Sequence, residues 1–127
     1  MSDPKQIGIA VVEHQGQYLV GVRGLDVPLP GAAEFPGGKC HVGESPFQCV
    51  VRECMEETGL LVVPVRLLQQ REFHYPHGHV CLSFVLCYPS NRNDVQDRHN
   101  EFRWESLEAL KNLNFPEGNS EVLLLLG

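Results

Sequence analysis

SPFQCVVRECMEETG, residues 45–59, contains the signals of one complete α-helix. Ser45 is a favoured N-cap residue, Pro46 suits the first helical position, and Gln48 completes a capping box. Gly59 is a favoured stop, because glycine adopts the left-handed conformation that ends many helices. The segment therefore predicts a helix that begins at Pro46 and ends just before Gly59.

Successive residues of an α-helix turn by about 100°, which separates this helix into two faces. Glu53, Glu56 and Glu57 fall on one face, on adjacent turns, and Arg52 lies at the edge of that face. The opposite face is predicted to be buried. It comprises Phe47, Val50, Val51, Cys54 and Thr58.

The three carboxylates are unfavourable neighbours, because like charges three or four residues apart repel one another. They also lie near the C-terminal end of the helix, where the macrodipole disfavours anions. A solvated acidic face is the alternative interpretation, although no lysine is interleaved with these acids. A hard divalent cation would relieve the repulsion, and all-oxygen ligands favour Mg²⁺ or, as a substitute, Mn²⁺.

Length and charge limit the classes of protein to consider. The chain has 127 residues and 43 % hydrophobic residues, which predicts a single globular domain over residues 1–127. Ten Lys and Arg face sixteen Asp and Glu, for a net charge of −6. Without a basic segment, a groove for a nucleic-acid polymer is not expected. A polyanionic small ligand would need a cation to neutralise it.

The five cysteines indicate a reducing compartment. Their number is odd, they form no CxxC motif, and no secretory signal or long apolar span is present. We therefore expect a cytoplasmic protein that does not associate with a membrane and whose cysteines mostly pack as small core residues.

Short apolar runs on both sides of the helix predict strands. Strands and helices alternate irregularly along the chain, which predicts an α/β (α+β) fold with a mixed sheet flanked by helices. The predicted strands are 7–13, 18–23, 62–73, 80–88 and 102–104, and the further helices are about 106–111 and about 119–127.

A fixed spacing connects the helix to the glycine turn before it. Gly38 is followed after five residues by Glu44, and after seven more by RECMEETGL, residues 52–60. This pattern resembles the Nudix box, G-x5-E-x7-R-E-U-x-E-E-x-G-U, where U is a bulky apolar residue. Every specified position matches, with Cys54 as the mildest deviation. The resemblance implies a Nudix-type α/β/α sandwich and an enzyme that hydrolyses a phosphoanhydride.

Features outside the box resemble the MutT-like branch of this family, which removes oxidised guanine nucleotides. They are Arg23, the lead-in EFPGGK (residues 34–39) and the late segment Phe115-Pro116 with Asn119. The resemblance implies Mg²⁺-dependent hydrolysis of a nucleoside triphosphate, such as 8-oxo-dGTP, to a monophosphate and pyrophosphate. Sanitation of the nucleotide pool in support of DNA repair would be the role.

The resemblance also implies a role for each residue of the box. Arg52 would orient a glutamate through a charge-assisted hydrogen bond, and Glu44 would support that network. Glu53 is the first choice for the group that accepts a proton from water. The implied metal ligands are the carbonyl of Gly37 and the carboxylates of Glu53, Glu56 and Glu57.

The family often adds an acid from a later loop to the metal site. Its MutT-like spacing places that acid six residues before Trp104, where this chain has Arg98. Asp97 and Glu101 are the candidates, and Glu101 is preferred.

Substrate contacts are implied at five further positions. Lys39 would reach a phosphate oxygen, and Gly38 would let the backbone approach the phosphates. Asn119 would contact the purine edge, with help from Arg23 and Phe35. Each has a structural alternative: a helix cap for Asn119, a solvated charge for Arg23 and a core position for Phe35.

Three other functions remain open on the sequence. Pro76 lies sixteen residues after Leu60, where ADP-ribose hydrolases of this family carry a proline. CTP or dCTP derivatives are another substrate class, and a non-catalytic nucleotide-binding module is the third. The partner is expected to be a small nucleotide, and the chain a monomer or a homodimer.

A group of histidines, His74, His77 and His79, surrounds the predicted turn at Tyr75-Pro76. The sequence places no Cys or Asp nearby to complete a tetrahedral zinc site. It therefore favours a solvated turn over a metal site.

Overall fold

The structure is a computed structural model that describes residues 4–22, 32–115 and 119–126. The strands are β1 (Lys5–His14), β2 (Gln17–Val22), β3 (Ala33–Glu34), β4 (Gly37–Lys39), β5 (Val62–Tyr75), β6 (Gly78–Pro89), β7 (Arg98–His99) and β8 (Phe102–Ser106). The α-helices are α1 (Pro46–Thr58) and α2 (Leu107–Lys111), and the 3₁₀ helices are Arg92–Asp94 and Ser120–Leu125.

The strands form one open mixed sheet in the order β5–β6–β1–β2–β8–β7. Strands β1 and β6 are parallel, whereas the other neighbours in this order are antiparallel. The short strands β3 and β4 pair with β2 and β1 respectively. Strand β1 pairs with β4 at residues 7–9 and with β2 only at Glu13 and His14. Strand β4 is thereby held beside the first half of β1.

Two hydrophobic cores lie on opposite faces of the sheet. Successive residues of β1 point to opposite sides, as strand geometry requires. Ala10 packs with Val50 of α1 in one core, whereas Val11 packs with Leu110 of α2 in the other. Helices therefore cover both faces of a mixed sheet, and the expected α/β/α sandwich is confirmed.

Helix α1 has the bounds and the caps that the sequence predicts. The hydroxyl of Ser45 accepts a hydrogen bond from the backbone N–H of Gln48 at 3.1 Å, and the Gln48 side chain accepts from the Ser45 N–H at 2.9 Å. At the other end, Gly59 has a φ of 76° and donates its N–H to the carbonyl of Met55. Both ends of α1 are therefore fixed by local sequence.

The buried face of α1 differs from the predicted one. Phe47 is 39 % exposed, whereas Cys49 is fully buried. Cys49 faces Gly8 of β1, where an added Cβ would lie 2.8 Å from the cysteine sulfur. Because Gly8 leaves room for Cys49 against β1, the buried face of the helix is rotated toward Cys49 and away from Phe47.

The other predicted elements are present with shifted ends. The first hairpin turns at Gln15 and Gly16, both with positive φ, and the strands β5 and β6 extend to a two-residue turn at Pro76 and His77. The polar segment 89–100, for which no strand or helix is predicted, contains a 3₁₀ helix and β7, and the last predicted helix is a 3₁₀ helix, Ser120–Leu125. The segment 24–33, rich in Gly and Pro, is predicted as a loop. Residues 24–31 lie outside the described residues, whereas Ala32 forms a bridge with Asn114 and Ala33 begins β3.

The cysteines behave as expected, since all five are free and four of them are buried. Over the described ranges, the helices are too short or too polar to cross a membrane.

Replacing Ser45 with Ala removes one half of the capping box. We expect this substitution to lower the free energy of unfolding by about 1 kcal/mol, because the backbone N–H of Gln48, in the first turn of the helix, loses its acceptor. Urea denaturation measures the change. Ser90→Ala is the control, since Ser90 is exposed on a loop, and it should change the free energy by less than about 0.5 kcal/mol. Equal effects of the two substitutions would contradict the capping role.

Candidate active site

The acidic face of α1 lies over the glycine turn of β4. A Cβ added at Gly38 would collide with the carboxylate of Glu53, so this carboxylate sits directly against the turn. A Cβ added at Gly37 would lie 2.5 Å from the backbone oxygen of Gly8. The N–H of Gly37 also donates to Oε2 of Glu57 at 2.7 Å. Two consecutive glycines therefore bring β4 against β1 on one side and against the acids of α1 on the other.

Arg52 connects the acids of this face to one another. Its Nε and Nη2 donate to the two carboxylate oxygens of Glu44 at 2.8 and 2.9 Å. Its Nη1 donates to Glu53 at 2.9 Å and to Glu56 at 3.1 Å, and Nη2 also donates to the carbonyl of Lys39 at 3.0 Å. The sequence places Arg52 at the edge of the acidic face, whereas the structure shows it bonded to three glutamates.

The hydrogen bonds of Arg52 change the acidity of this group. The hydrogen bonds from Arg52, together with the one from the N–H of His41, lower the pKa of the Glu44 carboxyl from 4.5 to about 2. The hydrogen bonds to Glu44, Glu56 and Glu53 raise the pKa of the Arg52 guanidinium. Both side chains are therefore charged at neutral pH. One guanidinium faces the carboxylates of Glu44, Glu53 and Glu56, so negative charge remains in excess.

Glu57 is in a different environment from the other acids. Burial raises the pKa of its half-buried carboxyl, the N–H of Gly37 opposes that shift, and the charges of Glu53, Glu34 and Glu56 raise the pKa further. Glu34 is an acid that the sequence analysis did not assign to the site. Its position on β3, close to the end of α1, follows from strand pairing and has no local signal in the sequence.

These residues fit a hard divalent cation. The donors are carboxylate oxygens, their charge exceeds that of Arg52, and the charges of Glu53, Glu34 and Glu56 add to the burial that raises the pKa of Glu57. Among the described residues, Glu53, Glu56 and Glu57 do not form a group in which one carboxylate oxygen from each residue lies within 4.8 Å of the other two. That spacing suits an ion that keeps several water ligands.

An open groove of about 620 Å³ lies beside this acidic face. Such a volume is in the usual range for small-molecule sites. The groove contains acids and both a lysine and an arginine, so it offers partners for a metal ion and for phosphate oxygens. Its lining residues are Lys39, Cys40, His41, Val42, Arg52, Glu53 and Glu56.

The residues expected to contact the base occupy different environments. Phe35 is buried, and its ring stacks on Phe115 with 5.0 Å between the centroids. Asn119 is half-buried at the start of the last 3₁₀ helix, and its side chain makes no capping hydrogen bond. Arg23 lies outside the described residues. The core alternative for Phe35 therefore has direct structural support, and the capping alternative for Asn119 has none.

The loop that carries the candidate outer acids reaches the end of α1. The side chain of Asn100 donates to the carbonyl of Glu57 at 2.7 Å. Asn100 was not predicted as a site residue. Its positive φ of 57° is a conformation that asparagine tolerates better than most residues do. Glu101 and Asp97 are exposed, and within the described chain neither carboxylate forms a hydrogen bond or an ion pair. Their part in a metal site stays a prediction.

Comparisons with known proteins agree on one family. Residues 3–126 match the NUDIX domain. The chain is 30 % identical over 122 residues to an 8-oxo-dGTP diphosphatase of Escherichia coli (strain K12), covering 95 % of each protein. It is 35 % identical over 83 residues to the NAD-capped RNA hydrolase NudC of Pseudomonas aeruginosa (strain LESB58), covering 65 % of this chain and 30 % of that protein. The fold is similar to the crystal structure of the MutT protein from Methanosarcina mazei Go1, with a TM-score of 0.73, 25 % identity, and coverage of 98 % and 94 %.

Alanine at the two glycines of the turn should have two different effects. Gly37→Ala places a methyl group against the backbone of Gly8, which cannot move freely, so we expect a loss of about 1–3 kcal/mol in the free energy of unfolding. Gly38→Ala displaces only the flexible end of Glu53, so stability should change by less than about 1 kcal/mol. Urea denaturation compares the two variants.

Gly78→Ala is the control for both substitutions. An added Cβ at Gly78 meets no atom within 4 Å, and its φ is one that other residues adopt. A Gly37→Ala variant as stable as Gly78→Ala would show that β4 does not depend on the close approach to β1.

Proposed function

Because this chain belongs to the Nudix hydrolase family, we propose that it is a Mg²⁺-dependent pyrophosphohydrolase of nucleoside triphosphates that acts on oxidised purine nucleotides such as 8-oxo-dGTP. The observation that carries the proposal is the set of hydrogen bonds of Arg52 over the Gly37–Gly38 turn. These bonds hold a group of carboxylates with excess negative charge beside an open groove. Such a group is suited to a divalent cation that carries a polyphosphate.

The metal ion, when bound, neutralises phosphate charge and makes water more acidic. Under this proposal Glu53, Glu56 and Glu57 hold it, with the carbonyl of Gly37. Glu53 is the preferred proton acceptor, since Arg52 holds one of its oxygens at 2.9 Å and Gly38 leaves space for the carboxylate. The oxygen of water would attack an inner phosphorus, and one of its protons would pass to Glu53. The phosphoanhydride bond between the α- and β-phosphoryl groups breaks, which releases the nucleoside monophosphate and pyrophosphate.

Residues around the groove would orient the substrate. Lys39 lines the groove and is exposed, so its ammonium group can bind a phosphate oxygen. The amide of Asn119 has no capping bond to satisfy and can both donate to and accept from a purine edge. The 8-oxo-dGTP diphosphatase activity named for the Escherichia coli relative supports an oxidised guanine as the substrate. Arg23 and Phe35 are proposed to assist.

Other Nudix substrates are the second candidate. The similarity to an NAD-capped RNA hydrolase favours a nucleoside diphosphate joined to another group, of which ADP-ribose is a simple case. Pro76, the sequence feature that pointed to ADP-ribose, lies in the two-residue turn between β5 and β6, and the turn alone accounts for it. We therefore rank ADP-ribose and CTP or dCTP derivatives below oxidised purine triphosphates.

The remaining parts of the proposal concern the setting of the enzyme. Five free cysteines suit a reducing compartment, which favours the cytoplasm and its nucleotide pool. A single domain over residues 1–127, as a monomer or a homodimer, would be sufficient for sanitation of that pool. Each subunit would contain its own complete site.

Glu53→Gln is the direct test of the catalytic assignment. The amide keeps the shape of the side chain and an acceptor for Arg52, but it cannot take a proton or offer the same charge to a metal ion. We expect kcat to fall by at least about 10²-fold, which is the usual contribution of a general base. The rate of pyrophosphate release, with Mg²⁺ and with EDTA in its place, measures this kcat. Glu108→Gln, at an exposed position of α2, is the matched control and should keep wild-type activity. Unchanged activity in Glu53→Gln would remove this residue from the mechanism.

Asn119→Ala tests the substrate assignment. The two proteins are compared on 8-oxo-dGTP, dGTP, dCTP, CTP and ADP-ribose. We expect 8-oxo-dGTP to have the highest kcat/KM with the unaltered protein. In the variant this value should fall by about tenfold or more, because contacts to a base edge contribute about 1–3 kcal/mol, whereas dCTP turnover should change little.

Asn93→Ala, an exposed asparagine that does not line the groove, is the control for that comparison. Equal losses on every nucleotide would assign Asn119 a structural role. Turnover of ADP-ribose alone would retain the metal-binding acids and replace the proposed substrate. No turnover of any nucleotide, with binding retained, would favour a non-catalytic module.

A further inference from the structure

A second group of metal-ligating side chains lies outside the groove, near the tip of the β5–β6 hairpin. His74 of β5 is directly opposite His79 of β6 in the strand register. Glu72 is two residues before His74, so the alternation of strand side chains places it on the same face. One ligand atom from each of the three residues lies within 4.8 Å of the other two.

The environment of His79 is unusual for a residue of a solvated turn. Its Nε2 atom is shielded from solvent and has no hydrogen-bond partner in the part of the chain that the structure describes. Oε2 of Glu72 lies 3.5 Å from this nitrogen, a distance that suits an ion pair better than a hydrogen bond. A shielded polar atom without a partner is uncommon in folded proteins, and an ion is one of its ordinary explanations.

The two imidazole rings are also brought together in an ordered way. Their centroids are 3.9 Å apart, and the planes differ by 19°. The backbone pairing of β5 with β6 places the two residues opposite each other without a flexible loop between them. Because an imidazole binds a metal ion in the plane of its ring, the stacked rings would turn relative to one another to share one ion. Glu72 and His74 are exposed, which leaves the site open to an ion from solvent.

We propose that Glu72, His74 and His79 bind one first-row transition-metal dication, with Zn²⁺ as its representative. Two imidazole nitrogens and one carboxylate oxygen are a donor set that suits Zn²⁺, Ni²⁺ or Cu²⁺, whereas Mg²⁺ prefers oxygen alone. The site differs from the acidic groove of α1 in ligand chemistry and in location. It would join the two strands at the end of their hairpin, and water would complete the coordination.

Another group of ligand atoms is less suitable. Cys40, Glu44 and Cys49 also lie within 4.8 Å of one another. Both carboxylate oxygens of Glu44 already accept hydrogen bonds from Arg52, and a metal ion there would have to displace that ion pair. This cysteine group therefore serves as the competing location in the experiment.

The test is a Zn²⁺ titration of the full chain against a chromophoric chelator, in excess Mg²⁺ and without nucleotide. We expect one Zn²⁺ per chain, and His74→Gln and His79→Gln should each weaken Zn²⁺ binding by at least about tenfold, as loss of a contact to a metal site does. His77→Gln is the matched control, because His77 lies in the same hairpin but outside the group. It should leave the affinity unchanged within about twofold.

Further arms separate the possible locations of the ion. Cys40→Ser should leave the Zn²⁺ affinity unchanged. Glu72→Gln should weaken Zn²⁺ binding, and because Glu72 is exposed this variant remains informative if a histidine variant fails to fold. Zn²⁺ should raise the thermal unfolding midpoint of the unaltered chain and not that of the His74→Gln, His79→Gln double variant. Affinity that follows Cys40, or that is the same in all hairpin variants, would overturn the proposal. Because no substrate is present, the result does not depend on the proposed function.

Discussion

Three positions without a side chain let α1, β1 and β4 pack closely together, and the geometry of the acidic site depends on this close packing. Gly8 of β1 accommodates Cys49, Gly37 accommodates the backbone of β1, and Gly38 accommodates the carboxylate of Glu53. A side chain at any of the three would separate two of the elements α1, β1 and β4 or displace an acid. The glycine turn and the helix therefore form one unit, in which backbone packing determines where the carboxylates lie.

Charge is organised within this unit by a single arginine. The planar guanidinium of Arg52 makes two bonds to Glu44, and it also reaches Glu53, Glu56 and the carbonyl of Lys39. Lysine could not replace it, because an ammonium group is a point charge without the paired donors of a guanidinium. The sequence suggested unrelieved repulsion among the acids. The structure shows partial relief, with Glu57 left under the influence of its acidic neighbours.

Local signals predicted α1 to the residue, because a capping box and a left-handed glycine act within one helical turn. The periodicity of the helix likewise placed its three glutamates on one face. Local signals could not predict that Cys49 rather than Phe47 is buried, since that depends on Gly8, which is some forty residues away in the chain. Nor could they place Glu34 near Glu57, or Glu72 beside two histidines, because both follow from the register of paired strands. The last helix was predicted to begin near Asn119, but a sequence signal of this kind does not distinguish an α-helix from a 3₁₀ helix.

The two faces of the sheet separate the two parts of the proposed activity. Helix α1 and its acids are built on the core that contains Val50 and Cys54, whereas Phe35 belongs to the core on the opposite face. Phe35 stacks on Phe115, which connects the segment before the glycine turn to the chain that leads toward Asn119. Hydrolysis would then depend on glycine contacts and ion pairs around Arg52, and base recognition on packing in the second core. Because distant sites act almost independently, changes in the second core would be expected to alter the preferred base while the carboxylates keep their positions. Under the proposed function, a common set of acids could thus serve different nucleotides, because the residues that hold the acids in place are not those proposed to support recognition of the base.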